Sequence, residues 1–442
     1  MRQSTTPAPM MGPWLTTGLV VGTMIGSGIF MLPVSLAPLG INAVVAWLIS
    51  IAGALSIAFA LARLSRGGGE GGIQSFIEQD FGPVIGFVVT WAFWISCWVS
   101  NAAVAIAFGA ATSRINPMFG DNTVIVFSIA SISFLTLVNA LGVRVSGGLN
   151  LLTIAIKLVP LLGVVVLLVL SQGGGGTLEP LAAVPLTIGG VATATSLTLF
   201  AMLGFENATA PVGKVRDPAR TLPRAILGGT ALVGLVYLLS SSAVLLLLPA
   251  EAVASSPAPY ADVFGARGGE GLVLLAAFAI AVSAFGSLNC GILVSGELGY
   301  AMAQRRQLPA VMARTANGNV PIVAQLVSSA LAILLVLANS SRSTADLFAF
   351  TILLTTSAIL FVYLAGTFAA WRHCPSMPAR AILVLASLFI AFAFWGAGFV
   401  ANAWSVALLA LGLLAYLVMA RLNSSAATPP ADARAAPPGS SA

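Results

Sequence analysis

Long apolar runs separated by short polar loops dominate this chain. A helix needs roughly 20 apolar residues to cross the hydrocarbon core of a bilayer. Twelve stretches qualify: 14–37, 41–62, 84–111, 122–142, 149–170, 187–211, 222–248, 271–302, 321–339, 345–370, 381–398 and 400–420. The pattern predicts an all-α membrane protein with 12 transmembrane helices. The stretch 271–302 is long enough to tilt or to project from the bilayer, and only a short turn near Ala401-Asn402 divides the last two.

Two runs are interrupted. Residues 14–37 carry Gly26-Ser27-Gly28 in their middle, and 187–211 are broken at Leu203-Gly204-Phe205 with Glu206 directly after. In lipid every backbone donor and acceptor must be satisfied, so an unwound stretch persists only where it lines a cavity. Two such segments in corresponding halves of a chain point to a transporter's substrate site. Spans 1–5 and 6–10 are odd-numbered units, so the second enters the membrane with opposite polarity. This parity predicts a 5+5 inverted repeat of the LeuT type, with broken helices 1 and 6 opening the two units. The expected organisation is a cytoplasmic segment 1–13, a first five-helix repeat 14–170, a second inverted repeat 187–370, helices 11–12 at 381–420, and a disordered cytoplasmic tail 421–442.

Composition supports the membrane reading, with 58% apolar and 7% charged residues against roughly 25% charged in soluble domains. Charge placement sets orientation. With a cytoplasmic N-terminus, fifteen basic residues fall in inner loops and three (Arg114, Arg267, Arg342) in outer ones, leaving Lys157 inside a span. The positive-inside rule then predicts an inner (plasma) membrane protein with both termini cytoplasmic. Topology accounts for the net charge of +6, and no nucleic-acid partner is expected. The first apolar run reads as a retained helix, not a secretory signal. Three cysteines (Cys97, Cys290, Cys374) argue against a disulfide framework. His373 is the single histidine, the glycine runs 67–69 and 173–176 read as loops, and no catalytic or metal-ligand pattern is present. No enzyme activity, metal or cofactor is expected.

The breaks suggest their own chemistry. A helix resuming near Ile29 offers unpaired N–H groups and the positive end of its dipole to the gap around Gly26, Ser27 and Gly28, which suits a carboxylate. Close helix packing through Gly22 and Gly26 is the plainer alternative. Carbonyls near Met24, Phe200 and Leu203 suit an ammonium, so the pair matches a zwitterion. Glu206 is either a gating acid or a structural carboxylate on the unwound backbone. In span 3, Phe93, Cys97 and Asn101 share one helical face, whereas Trp94 and Trp98 fall on a neighbouring one and read as packing. Lys157 costs roughly 3 kcal/mol in mid-membrane. It either snorkels, stands as a fixed cation where other transporters bind sodium, or carries a proton.

Gly-Ser-Gly-Ile-Phe at 26–30, Gly71-Gly72 with Phe81-Gly82-Pro83, and Gly204-Phe205-Glu206 followed by Arg216-Asp217-Pro218 and Pro223-Arg224 resemble the amino acid–polyamine–organocation (APC) superfamily. The run Trp94-Ile95-Ser96-Cys97-Trp98 with Asn101 is most similar to the arginine/agmatine antiporters of the basic amino acid/polyamine antiporter family. The resemblance implies a LeuT-type fold and a homodimer. It implies substrate contacts at Ser27, Gly28, Ser96, Cys97 and Asn101 and a gate at Glu206. Three aromatic positions of those antiporters depart here, to Phe93, Phe200 and Gly291, and a polar position in span 10 falls at Thr355. Lys157 also departs from them and is typical of proton-coupled permeases in the superfamily.

The expectation is a secondary active amino acid transporter working by alternating access, by exchange or with proton coupling. Arginine/agmatine exchange in acid resistance and neutral amino acid export are the transport alternatives. A non-transporting scaffold or sensor is the alternative from another class. With Trp replaced by Phe200 and Gly291, stacking on a guanidinium weakens, so selectivity leans toward a broader, neutral amino acid substrate.

Overall fold

The computed structural model describes residues 12–64, 72–142, 147–173, 177–209, 215–316, 320–374 and 376–426. The loop glycines 67–69 and 174–176, residues 210–211 of the sixth apolar stretch and tail residues 427–442 lie outside them. The chain folds as α1 (Pro13–Met24), α2 (Gly28–Leu36), α3 (Ile41–Leu64), α4 (Gly72–Phe81), α5 (Pro83–Ile115), α6 (Thr123–Ala140), α7 (Gly147–Gly173) and α8 (Ile188–Met202). It continues through α9 (Pro218–Leu247), α10 (Ala250–Ser255), α11 (Pro259–Gly268), α12 (Glu270–Gln304), α13 (Ile322–Ala338), α14 (Thr344–Arg372) and α15 (Met377–Ala426).

Among the described residues, 9 helices are long and apolar enough to span a membrane, or 10 when α1 and the helical run Gly28–Leu39, bent by 49° at their junction, count as one. The protein is an all-α, multi-pass membrane protein. At 35 residues, α12 is about 52 Å long at 1.5 Å per residue. It outruns a hydrocarbon core of roughly 30 Å.

Three boundaries differ from the sequence expectation. The last two apolar stretches join in α15, which leaves helical geometry at Gly398 (φ 79°, ψ 167°), not at Ala401-Asn402. Asn402 instead bridges this kink, donating to the Phe394 carbonyl at 2.6 Å and accepting from the Ser357 hydroxyl at 2.7 Å. The helix also continues past 421 to Ala426, where the tail was expected to begin. Asn423 ties that end down by donating to the Arg306 carbonyl at 3.0 Å. Finally, the segment before α5 is itself the amphipathic helix α4, which buries Ile73, Phe76 and Ile77.

Ion pairs mark two ends of the bundle. At the end where α5 finishes, Arg114 meets Asp262 of α11 and Glu270 of α12, each at 3.0 Å. We call this the distal end. At the proximal end, where α1, α4 and α5 begin and α12 finishes, Arg305 meets Glu78 at 2.6 Å and His373 meets Asp80 at 2.9 Å.

Candidate functional site

Both interruptions predicted from sequence meet at the middle of the bundle. The first half-helix, α1, comes from the proximal end and stops at Met24, and α2 restarts at Gly28. The Met24 carbonyl accepts from the Tyr237 hydroxyl at 2.9 Å and from the Gly26 N–H at 2.7 Å. Two donors use both of its lone pairs, so this carbonyl is less available to an ammonium than the sequence suggested. Phe30 N–H reaches the Ser27 carbonyl at 3.1 Å, which leaves the N–H groups of Gly28 and Ile29 without intrahelical acceptors. The Phe200 ring stands directly on Gly28: a Cβ there would lie 2.3 Å from Phe200 Cε1.

The second half-helix, α8, starts at the distal end, where Thr187 N–H donates to Asn42 Oδ1 at 2.9 Å, and stops at Met202. Gly204 sits at φ +115°, and a Cβ on it would come within 2.5 Å of the Thr23 carbonyl. Glycine alone meets both demands. The Thr23 hydroxyl donates to the Gly204 carbonyl at 3.0 Å, so the two breaks touch. Glu206 folds back over its own turn. Its carboxylate accepts from Gly204 N–H at 3.0 Å and from the Tyr363 hydroxyl at 2.9 Å. Phe205 stacks on the Tyr363 ring at 5.5 Å. Among the described residues, no backbone N–H reaches the carbonyls of Ile25 and Leu203.

A cavity of about 720 Å³ lies against these breaks. Met24, Gly26 and Gly28 line it from the first break, and Phe200, Leu203 and Glu206 from the second. From α5 come Phe93, Ser96, Cys97 and Asn101, the face expected from their spacing, while α7 contributes Lys157, α12 Gly291 and α14 Thr355. Ser27 is not on the wall; its hydroxyl is buried without a hydrogen-bond partner. Trp94 and Trp98 pack away from the cavity, Trp94 Nε1 donating to the Ser328 hydroxyl at 2.9 Å.

The space beside Gly291 is not vacant. A Cβ on Gly291 would lie 2.0 Å from Asn101 Oδ1, so the asparagine amide fills the room an aromatic side chain would need. Asn101 Nδ2 also reaches the Ser295 hydroxyl at 3.3 Å.

Gly18, Ile73, Gln74 and Ala301 carry the cavity wall toward the proximal end. On the distal side, Phe200 meets Phe348 edge-on at 6.3 Å, and Phe30 meets Tyr260 at 5.3 Å. The cavity therefore runs to one end of the bundle and stops against packed aromatics toward the other.

Sequence reading missed several wall residues. Glu297 of α12 lines the cavity, and an acid inside an apolar stretch was the signal that could have found it. Tyr237 and Tyr363 act on breaks 213 and 157 residues away, and nothing local announces them.

Comparison with known proteins gives a consistent set of relatives. The family described as amino acid permease matches residues 11–428. The putrescine transporter of Haemophilus influenzae is 26% identical over 340 residues, 74% of this chain and 76% of that protein. The cadaverine/lysine antiporter of Escherichia coli is 29% identical over 355 residues, covering 77% and 78%. A putative arginine/ornithine antiporter of Bacillus subtilis is 29% identical over 396 residues, covering 80% and 82%.

Proposed function

Because the chain belongs to the amino acid permease family, we propose that it exchanges a basic amino acid for a related amino acid or amine by alternating access. It is a transporter and not an enzyme. The observation that carries the exchange reading is the meeting of two interrupted helices at a cavity reached from one end. A substrate carboxylate is taken by the free N–H groups of Gly28 and Ile29, and its α-ammonium by the carbonyls of Ile25 and Leu203. Phe200, resting on Gly28, is the lid on the distal side.

The basic substrate follows from two supports. The relatives above are named for putrescine, cadaverine, lysine, arginine and ornithine, and the cavity wall holds two carboxylates. Arginine/agmatine exchange belongs to the same class. Neutral amino acid transport is the second reading, favoured by the weaker stacking surface that Phe200 and Gly291 offer a guanidinium.

In this reading the chain crosses the membrane 12 times as a LeuT-type 5+5 inverted repeat. The broken α1–α2 pair, the 17-residue α13 and the two halves of α15 supply the crossings beyond the helices that are single unbroken spans. Both termini are cytoplasmic, the cavity faces inward, and the protein works as a homodimer in the inner membrane. Lys157 is the coupling residue. Among the described residues no carboxylate lies within 4.0 Å of its ammonium, so it can act as a fixed cation or proton carrier beside the substrate.

Counterflow in proteoliposomes tests the proposal. Vesicles loaded with arginine, lysine, ornithine, putrescine, cadaverine, agmatine or leucine are offered labelled arginine. Exchange against the basic amino acids and amines is expected, and exchange with leucine alone would replace this reading with the neutral one. Lys157→Ala should flatten the pH profile of exchange with the protein still inserted. An unchanged profile would return Lys157 to a snorkelling side chain.

A further inference from the structure

We infer that Glu297 is a second cation receptor, holding the distal ammonium or guanidinium of a basic amino acid or diamine while the α-groups sit at the helix breaks. The inference rests on the exchange reading above and names the residue that selects its substrate class. Glu297 lies on the stripe of α12 that faces the cavity, with Cys290, Val294 and Ala301 spaced along the same side. It stands six residues beyond Gly291, where Asn101 packs. That is about 9 Å along the helix axis toward the proximal end. Glu297 lines the same cavity as Gly28 and Leu203, so a lysine, arginine or diamine held at the breaks can direct its other cation along this wall.

The acid is available for this role, and the other wall carboxylate is not. Glu206 already accepts from Gly204 N–H and from the Tyr363 hydroxyl. Glu297 has no basic side chain within 4.0 Å among the described residues, including Lys157 of the same cavity. Its neighbours on the wall, Leu293, Val294, Leu298 and Ala301, are apolar. Glu297 is itself exposed on this wall, so its carboxylate is open to an incoming cation. Glu297 also offsets the repulsion that Lys157 exerts on an incoming cation. A neutral amino acid has no group for this position, so Glu297 separates lysine from an uncharged chain of equal length.

Calorimetric binding to the purified full-length protein tests the assignment with lysine, cadaverine and norleucine, which is lysine without the distal amine. Wild type is expected to prefer lysine to norleucine. In Glu297→Gln the preference should fall about tenfold or more, with norleucine binding unchanged, and Glu297→Asp should recover part of it. Glu297→Ala carries the same comparison if the glutamine variant does not insert. A lysine preference that survives in Glu297→Gln or Glu297→Ala overturns the role of Glu297 and leaves the exchange reading standing. A wild type that binds norleucine as well as lysine overturns the basic-substrate reading and this inference with it.

Discussion

At the break between α1 and α2 the loose backbone N–H groups are left to the cavity, whereas just past the end of α8 the Gly204 N–H is taken by a carboxylate from the same chain. The first break has the free N–H groups of Gly28 and Ile29 and, buried beside them, a Ser27 hydroxyl with no partner. The second has Glu206 folded onto Gly204 N–H and braced by Tyr363. Both breaks need glycine, for different reasons. Gly28 makes room for the Phe200 ring, while Gly204 adopts a left-handed backbone against the Thr23 carbonyl. A carboxylate entering the second break would meet the one already there, and this is why the proposed reading puts the substrate anion at the first.

Gly28→Val should break the arrangement most severely. The added Cβ alone overlaps Phe200 Cε1 at 2.3 Å, and overpacking of this kind costs about 1–3 kcal/mol. That corresponds to one or two decades of affinity, lost at the site of the substrate carboxylate. Counterflow should fall about ten- to hundredfold with the protein inserted, and Phe200→Ala in the same chain should restore part of it. Normal exchange by Gly28→Val would remove the first break from the substrate site.

Glu206→Gln probes the other side of the comparison with a smaller effect. Gly204 N–H and the Tyr363 hydroxyl would then meet an amide with a single acceptor oxygen. Charge-assisted hydrogen bonds contribute about 1.5–3 kcal/mol, so thermal stability in detergent should drop by about 2 kcal/mol. Tyr363→Phe, which leaves the Gly204 contact, should lose about half as much. If Glu206→Gln unfolds like wild type while exchange disappears, the acid is a gate and not a brace.

The two breaks also show what a sequence displays. Gly26-Ser27-Gly28 and Leu203-Gly204-Phe205 were legible because a glycine inside an apolar run is a local signal, and helices stop at Met24 and Met202 accordingly. The Phe93, Cys97 and Asn101 face was legible from helical spacing. The groups that hold the breaks were not. Tyr237 and Tyr363 come from α9 and α14, and only packing brings them to Met24 and Glu206. Asn101 filling the room beside Gly291 is likewise a tertiary fact. Glu297 differs, because the rule that singled out Glu206 applied to it equally. What the sequence does not display is that the side of α12 carrying Glu297 faces the cavity, which tertiary packing decides.

Ser27→Ala should have the smallest effect on stability and separates the hydroxyl of the first break from its N–H groups. The Ser27 hydroxyl is fully buried and has no hydrogen-bond partner among the described residues. Removing an unsatisfied polar group costs no hydrogen bond and relieves desolvation, so stability should hold or rise by up to about 1 kcal/mol. On the proposed reading, a substrate carboxylate docking at the start of α2 gives this hydroxyl, off the cavity wall in the present conformation, its partner. A hydroxyl–carboxylate bond is charge-assisted and worth about 1.5–3 kcal/mol, or roughly ten- to a hundredfold in affinity. Lysine and cadaverine differ by that carboxylate, so Ser27→Ala should weaken lysine by this factor and leave cadaverine unchanged in the same calorimetric assay. An equal loss for both ligands would mean that Ser27 shapes the break without touching the anion. The free N–H groups of Gly28 and Ile29 would then hold the carboxylate without it.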